Sequence, residues 1–112
     1  MRPQILLLTL FLAVLPLSAV ADKPWEPIKD VTDQHIQEIA QFAVTDFNRQ
    51  NHTNLILKAV LGGKSQEEYA GTRYILDLAM TQPSSCYQTT VLEFSWLPHY
   101  ELFYFGSAIC QV

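Results

Sequence analysis

The sequence has few of the features that would support catalysis, metal binding or nucleic-acid binding. Seven lysines and arginines stand against eleven aspartates and glutamates, a net charge of −4, and the basic residues form no stripe that could neutralise phosphates. Neither nucleic acid nor a membrane surface is therefore expected as a partner. His35, His52 and His99 are scattered and lack the spacing of metal ligands, so no metal site is predicted.

Enzymatic motifs are equally scarce. There is no G-x-S-x-G elbow, and Gly62-Gly63 is followed by another strand pattern and not by the helix that a phosphate loop requires. Cys86 and His99 could form a nucleophilic pair, but a disulfide would occupy that thiol. Glu67 and Glu68 are adjacent, and adjacent side chains of an extended chain point to opposite faces, so they make no acid–base pair. The sequence predicts neither an enzyme nor a bound cofactor.

Residues 1–21 have the layout of a secretory signal peptide. Arg2 gives a positive start, Ile5–Leu15 is almost entirely apolar, and Ala19-Val20-Ala21 is a small-x-small cleavage site. The alternative is a membrane anchor, but the stretch is short for a bilayer and no stop-transfer charges follow it. We therefore expect cleavage after Ala21, a secreted extracellular protein, and one domain over residues 22–112.

Export bears on the cysteines and on one sequon. In an oxidising compartment Cys86 and Cys110 are expected to form a disulfide, and the alternative is a pair of buried free thiols. Asn51-His52-Thr53 is an N-glycosylation sequon and suits an exposed turn. Asn51 is therefore the predicted glycan acceptor.

The hydrophobic pattern predicts one helix followed by strands. Residues 22–30 are expected to be irregular, Thr32 or Asp33 can cap a helix, and the polar stretch Asn48–Asn54 is expected to end it. Apolar residues recur in between at every third or fourth position, namely Ile36, Ile39, Ala40, Ala43 and Phe47. The period then changes to two, which predicts strands at Leu55–Leu61, Tyr69–Ala79, Tyr87–Phe94 and Leu102–Ile109, with a bulge or kink at Gly62-Gly63.

This order of elements predicts an α+β domain, an antiparallel β-sheet of four to five strands wrapped around one long α-helix. Trp25, the turn Gln66–Gly71 and Ser95-Trp96 would then lie at one edge of the sheet and form a projecting apolar wedge that fits a concave partner. The alternative is that both tryptophans are core residues.

Three stretches of the chain resemble the plant cystatins. "IAQFAVTDFN" at Ile39–Asn48 is similar to the family's helix signature, "WEPI" at Trp25–Ile28 to the segment before that helix, and "AGTRY" at Ala70–Tyr74 to the strand after the first inhibitory hairpin. The resemblance implies a cystatin-like fold and a reversible inhibitor of papain-like cysteine proteases. It also implies that an N-terminal trunk and two hairpin loops fill the active-site cleft of the protease.

Carried over position by position, the resemblance assigns protease contacts to Lys23, Pro24, Trp25, Gln66, Glu67, Glu68, Tyr69, Ala70, Gly71, Ser95 and Trp96. Several of these depart from the family pattern. Lys23-Pro24 stands in place of a trunk glycine, either Gln66 or Glu67 takes the place of the loop glutamine, and Ser95 replaces the proline before Trp96. An unpaired carboxylate carried into a cleft costs several kcal/mol, so the acids predict weakened or altered inhibition.

Two functions are therefore open at this point. The leading hypothesis is a secreted inhibitor of papain-like cysteine proteases, and the alternative is a cystatin-fold binding or structural module that does not inhibit. Cys86 and Cys110 flank the second loop much as the last disulfide of animal cystatins does. A monomer is expected, and Gly62-Gly63 beside the first hairpin leaves exchange of that hairpin between two molecules as the alternative.

Overall fold

The computed structural model describes residues 23–81 and 84–110, which form one helix and one five-stranded sheet. The elements are β1 (Glu26–Pro27), α1 (Gln34–Asn51), β2 (Leu57–Glu67), β3 (Gly71–Thr81), β4 (Ser84–Phe94) and β5 (Tyr100–Ala108). The strands are antiparallel and lie side by side in chain order. The predicted α+β fold, with a sheet packed on one long helix, is confirmed. The predicted signal peptide over residues 1–21 lies outside the described residues.

The helix begins and ends where the sequence predicts. Asp33 is the N-cap, because its carboxylate accepts the backbone N–H of His35 at 3.0 Å. The helix continues through Asn51 and stops at His52, which adopts a left-handed conformation with φ of 56°. Its end therefore lies inside the polar stretch Asn48–Asn54, as predicted.

The helix buries its predicted stripe against one face of the sheet. Ile39, Ala40 and Ala43 are fully buried, and the two alanines let the helix approach the strands closely. On the sheet side, the core is formed by Leu76 and Leu78 of β3 and Val91 of β4. Further along the helix, the ring of Phe47 stacks on Phe105 of β5 with centroids 4.3 Å apart.

β2, β4 and β5 are longer than the alternating pattern predicts, and β3 is shifted towards the C-terminus by two residues. β2 runs through Gly62-Gly63 to Glu67, with a register shift between Val60 and Gly62 that confirms the predicted bulge. β3 begins only at Gly71, because residues 68–70 form the turn. The chain start, predicted to be irregular, contains the short strand β1, whose residues Glu26 and Pro27 pair with Ser65 and Lys64.

The disulfide prediction is confirmed. Cys86 of β4 is bonded to Cys110, which follows β5, so the alternative of two free thiols was wrong. The pairing of Cys86 with Ala108 in the sheet brings the two half-cystines into reach of each other.

The sequon residue Asn51 is exposed and is the last residue of α1, with its side-chain N–H donating to the carbonyl of Phe47 at 3.0 Å. Glycosylation there stays a prediction. No helix in the described part of the chain is long and apolar enough to cross a membrane.

Candidate functional site

Three separate segments meet at one end of the sheet. We call them the N-terminal segment (Lys23–Trp25), the first loop (Gln66–Gly71, between β2 and β3) and the second loop (Ser95–His99, between β4 and β5). The backbone carbonyl of Ala70 accepts the N–H of Ser95 at 3.0 Å, which joins the two loops. The carbonyl of Lys23 accepts the side-chain N–H of Gln66 at 2.8 Å, which joins the N-terminal segment to the first loop. The structure thus places all the predicted contact residues in three adjoining segments.

The first loop is a tight turn that projects one aromatic side chain. Glu68 donates its backbone N–H to the carbonyl of Gly71 at 2.7 Å, and Gly71 donates back to Glu68 at 3.3 Å. Tyr69 lies at the tip and is 98% exposed. Gly71 has φ of 156° and passes so close to β4 that an added Cβ would lie 1.9 Å from the carbonyl oxygen of Glu93. Only glycine fits at this position.

The two acids of the first loop are each paired with a cation. Glu67 binds the Lys23 ammonium at 2.8 Å, and Glu68 accepts two hydrogen bonds from the guanidinium of Arg73. The hydrogen bond and charge of Lys23 lower the pKa of the Glu67 carboxyl, and the same contact raises the pKa of Lys23. Neither carboxylate is therefore unpaired in the folded protein, and weakened or altered inhibition stays a prediction.

The second loop presents a further apolar tip. The backbone N–H of Phe94 donates to His99 at 3.2 Å and closes the loop, while the ring of Phe94 stacks on His99 with centroids 5.5 Å apart. The ring of Trp96 lies tilted against that of Phe94, with centroids 5.7 Å apart, and Trp96 is 60% exposed. The interpretation of Trp96 as a core residue was wrong. Leu97 beside it is half exposed, a feature that the sequence pattern did not single out.

The N-terminal segment lies beside the first loop, where Lys23 contacts Gln66 and Glu67. Trp25 is half-buried, and the Lys64 ammonium lies over its ring, 5.4 Å from the centroid. Lys23 and Pro24 are exposed. Trp25 therefore packs on β2, and a contact between this segment and a protease stays a prediction.

A polar brace that sequence analysis missed connects the helix to the base of both loops. The carboxylate of Glu93 contacts Nε2 of His35 at 2.8 Å and accepts the hydroxyl of Tyr74 at 3.2 Å. Glu93 precedes Phe94, the last residue of β4 before the second loop, and its backbone lies against Gly71 of the first loop. These residues are far apart in the chain, and only the strand register brings them together.

Alkaline pH is expected to destabilise the protein through Tyr74. Burial first, and then the charge of Glu93, raise the pKa of the Tyr74 hydroxyl well above its usual value of about 10. The unfolded chain then loses this proton at a lower pH than the folded chain does. The contribution of Tyr74 to the free energy of unfolding is therefore constant below about pH 10 and falls as the pH rises above it.

Urea denaturation at several alkaline pH values would check this. The fall in the free energy of unfolding should be smaller in Tyr74→Phe than in the parent protein. Tyr69→Phe, a change at the exposed loop tip, is the matched control and should behave as the parent does. An identical fall in Tyr74→Phe and in the parent would contradict the assignment.

Comparison with known proteins adds family relationships. A family model described as aspartic acid proteinase inhibitor matches residues 28–108, which include both loops but not the N-terminal segment. The chain is 38% identical over 78 residues to cysteine proteinase inhibitor 5 of Arabidopsis thaliana, covering 67% of this chain and 63% of that protein. The chain thus spans less than two thirds of the length of that relative.

Two further relatives are cysteine proteinase inhibitors from other plants. Cysteine proteinase inhibitor 6 of Oryza sativa subsp. japonica is 32% identical over 93 residues, covering 79% of this chain and 81% of that protein. Cysteine proteinase inhibitor 1 of Actinidia chinensis var. chinensis is 32% identical over 80 residues, covering 70% of this chain and 68% of that protein.

Proposed function

We propose that this chain, which belongs to the cystatin-like family of proteinase inhibitors, inhibits a papain-like cysteine protease reversibly by inserting its two loop tips into the active-site cleft. The names of the plant relatives support a cysteine protease as the target. Inhibition of this kind involves no reaction of the inhibitor, so the affinity depends on how well the loop tips fit the cleft.

The observation that carries this proposal is the composition of the two tips. Tyr69 of the first loop and Trp96 and Leu97 of the second loop are exposed apolar or aromatic side chains, on loops that a backbone hydrogen bond from Ser95 to Ala70 holds side by side. Large aromatic side chains on a narrow projection commonly dominate the binding energy of an interface. Because Glu67 and Glu68 are paired with cations, they need not enter the cleft as isolated charges.

A second candidate target is an aspartic proteinase, and the description of the matching family model favours it. Such enzymes use two carboxyl groups that share a proton, and they cleave extended chains in a long cleft. The first loop is also acidic where the cystatin pattern is not. The same projecting tips would serve either class of enzyme, so the two targets have to be separated by measurement.

The test is an active-site titration with two enzymes. Purified protein of residues 22–112 is added to a counted amount of papain near neutral pH, and to pepsin at acid pH. Competitive, stoichiometric loss of papain activity is the result that we expect. Inhibition of pepsin alone would replace the cysteine-protease proposal by the aspartic one. Loss of neither activity at micromolar protein, with circular dichroism showing a folded chain, would contradict inhibition and favour a non-inhibitory binding module.

The proposed setting is extracellular. The signal-peptide pattern of residues 1–21 supports export, and the disulfide between Cys86 and Cys110 is typical of proteins from oxidising compartments. Asn51 is exposed, as a glycan acceptor must be. We propose that the protein acts outside the cell as a monomer, with one loop pair for each protease molecule.

A further inference from the structure

The N-terminal segment continues along the edge of β2 beyond the short strand β1. Glu26 pairs with Ser65, and the N–H of Ile28 donates to the carbonyl of Gly63 at 3.0 Å. Further towards the loop, Pro24 has no N–H to donate. The hydrogen bonds of Lys23 there each involve a side chain of β2.

Lys23 makes two of these contacts, both with the end of β2. Its carbonyl oxygen accepts the side-chain N–H of Gln66 at 2.8 Å, and its ammonium binds the carboxylate of Glu67 at 2.8 Å. One residue of the N-terminal segment is thus joined to two consecutive residues of the first loop.

The ion pair between Lys23 and Glu67 joins the N-terminal segment to the first loop and adds little to the overall stability of the fold. The two side chains are 72% and 66% exposed, and exposed ion pairs contribute little to the free energy of unfolding. Each charge shifts the pKa of the other in the direction that keeps both charged. Both groups are therefore charged near neutral pH, where papain is assayed.

The opposite side of the first loop is held as well. Glu68 is bound by Arg73, whose guanidinium also lies 4.7 Å from the ring centroid of Phe103 on β5. The carbonyl of Ala70 accepts a hydrogen bond from the N–H of Ser95 in the second loop. Tyr69 projects from between these attachments.

We propose that Lys23 is a positioning residue, which holds the first loop against the N-terminal segment so that Tyr69 stands beside Trp96 for insertion. The proposal rests on the inhibitory function proposed above. In this arrangement the N-terminal segment acts as a support of the first loop, and the two loop tips make the contact with the protease. Gln66 acts in the same way, through its bond to the carbonyl of Lys23.

A charge swap separates positioning from direct contact. Lys23→Glu and Glu67→Lys each place two like charges together, and each should weaken inhibition by roughly fivefold, the upper range for exposed pairs. The double variant Lys23→Glu/Glu67→Lys restores an ion pair of opposite polarity and should recover the inhibition constant of the parent. Lys58→Glu, at the far end of β2, is the control for overall charge and should have no effect.

A second measurement does not depend on any protease. The heteronuclear ¹H–¹⁵N NOE of the Tyr69 and Ala70 amides reports the mobility of the loop tip on the fast timescale. It should fall in each single variant and return in the double variant, with the thermal midpoint unchanged throughout.

Recovery of both the inhibition constant and the NOE in the double variant would support the positioning role of Lys23. Weakening that the double variant does not reverse, with an unchanged NOE, would mean that Lys23 contacts the protease directly and would overturn the proposal. Inhibition by all variants equal to the parent would overturn it as well. If the parent inhibits no protease, the proposed function fails, and the NOE alone decides whether Lys23 positions the loop.

Discussion

Replacing Trp96 with alanine is expected to weaken binding to the target protease by about 30-fold or more, which corresponds to about 2 kcal/mol. Trp96 is 60% exposed at the tip of the second loop, with its ring centroid 5.7 Å from that of Phe94. Its large apolar surface is therefore available to a partner. For the same reason the thermal midpoint should change little, because truncating an exposed side chain removes little buried area from the fold.

Tyr104→Ala is the matched control for the loss of an exposed aromatic side chain. Tyr104 lies on β5 and is 52% exposed, but it belongs to neither loop. We expect its replacement to leave the inhibition constant unchanged. Inhibition constants from competitive assays, together with thermal unfolding, give both readouts. A Trp96→Ala variant that inhibits as well as the parent would remove the second loop from the binding surface.

Replacing Gly71 with alanine is expected to lower the free energy of unfolding by roughly 4 kcal/mol, the sum of an unfavourable φ and an overpacking cost. The backbone there has φ of 156°, and a Cβ would lie 1.9 Å from the carbonyl oxygen of Glu93 and 2.9 Å from Cα of Phe94. Both contacts are with backbone atoms, which cannot turn aside as a flexible side chain can. Relief requires β3 to move away from β4 where both loops are anchored, so inhibition should be lost as well.

Gly62→Ala is the control for this prediction. The nearest atom to a Cβ at Gly62 is Oδ2 of Asp77, at 4.0 Å, so we expect a change within about 0.5 kcal/mol. Urea denaturation of both variants and the parent measures the difference. A Gly71→Ala variant as stable as the parent would show that the two strands do not approach as closely as described.

The fold could be predicted from sequence because its signals are local. The stripe from Ile36 to Phe47 has the helical period, and the alternation after Leu55 has the period of strands. Strand boundaries were harder to place. The helix ends at the left-handed residue His52, inside the predicted stretch Asn48–Asn54, whereas β3 begins at Gly71, two residues later than the alternation predicts.

The candidate site could be predicted only in outline. The placement of Tyr69 and Trp96 in projecting turns follows from the turn pattern and the family resemblance, and both side chains are exposed in the structure. The cations that pair with Glu67 and Glu68 could not be predicted from the sequence pattern, because Lys23 and Glu67, for example, are 44 positions apart in the chain. Without that contact, Glu67 and Glu68 suggested a defect in the loop, whereas the structure shows two ion pairs that hold it.

Hydrogen–deuterium exchange, with and without the inhibited protease, tests the central claim most directly. The account predicts slower exchange on binding at Glu68–Ala70 and Ser95–Leu97, with the exchange of α1 unchanged. Because Tyr69 and Trp96 lie at the tips of short turns, the exchange of their amides without protease is expected to be fast, which leaves a wide range for protection. Protection on the helix or on β5, with both loop tips unchanged, would contradict insertion of the loops into the cleft.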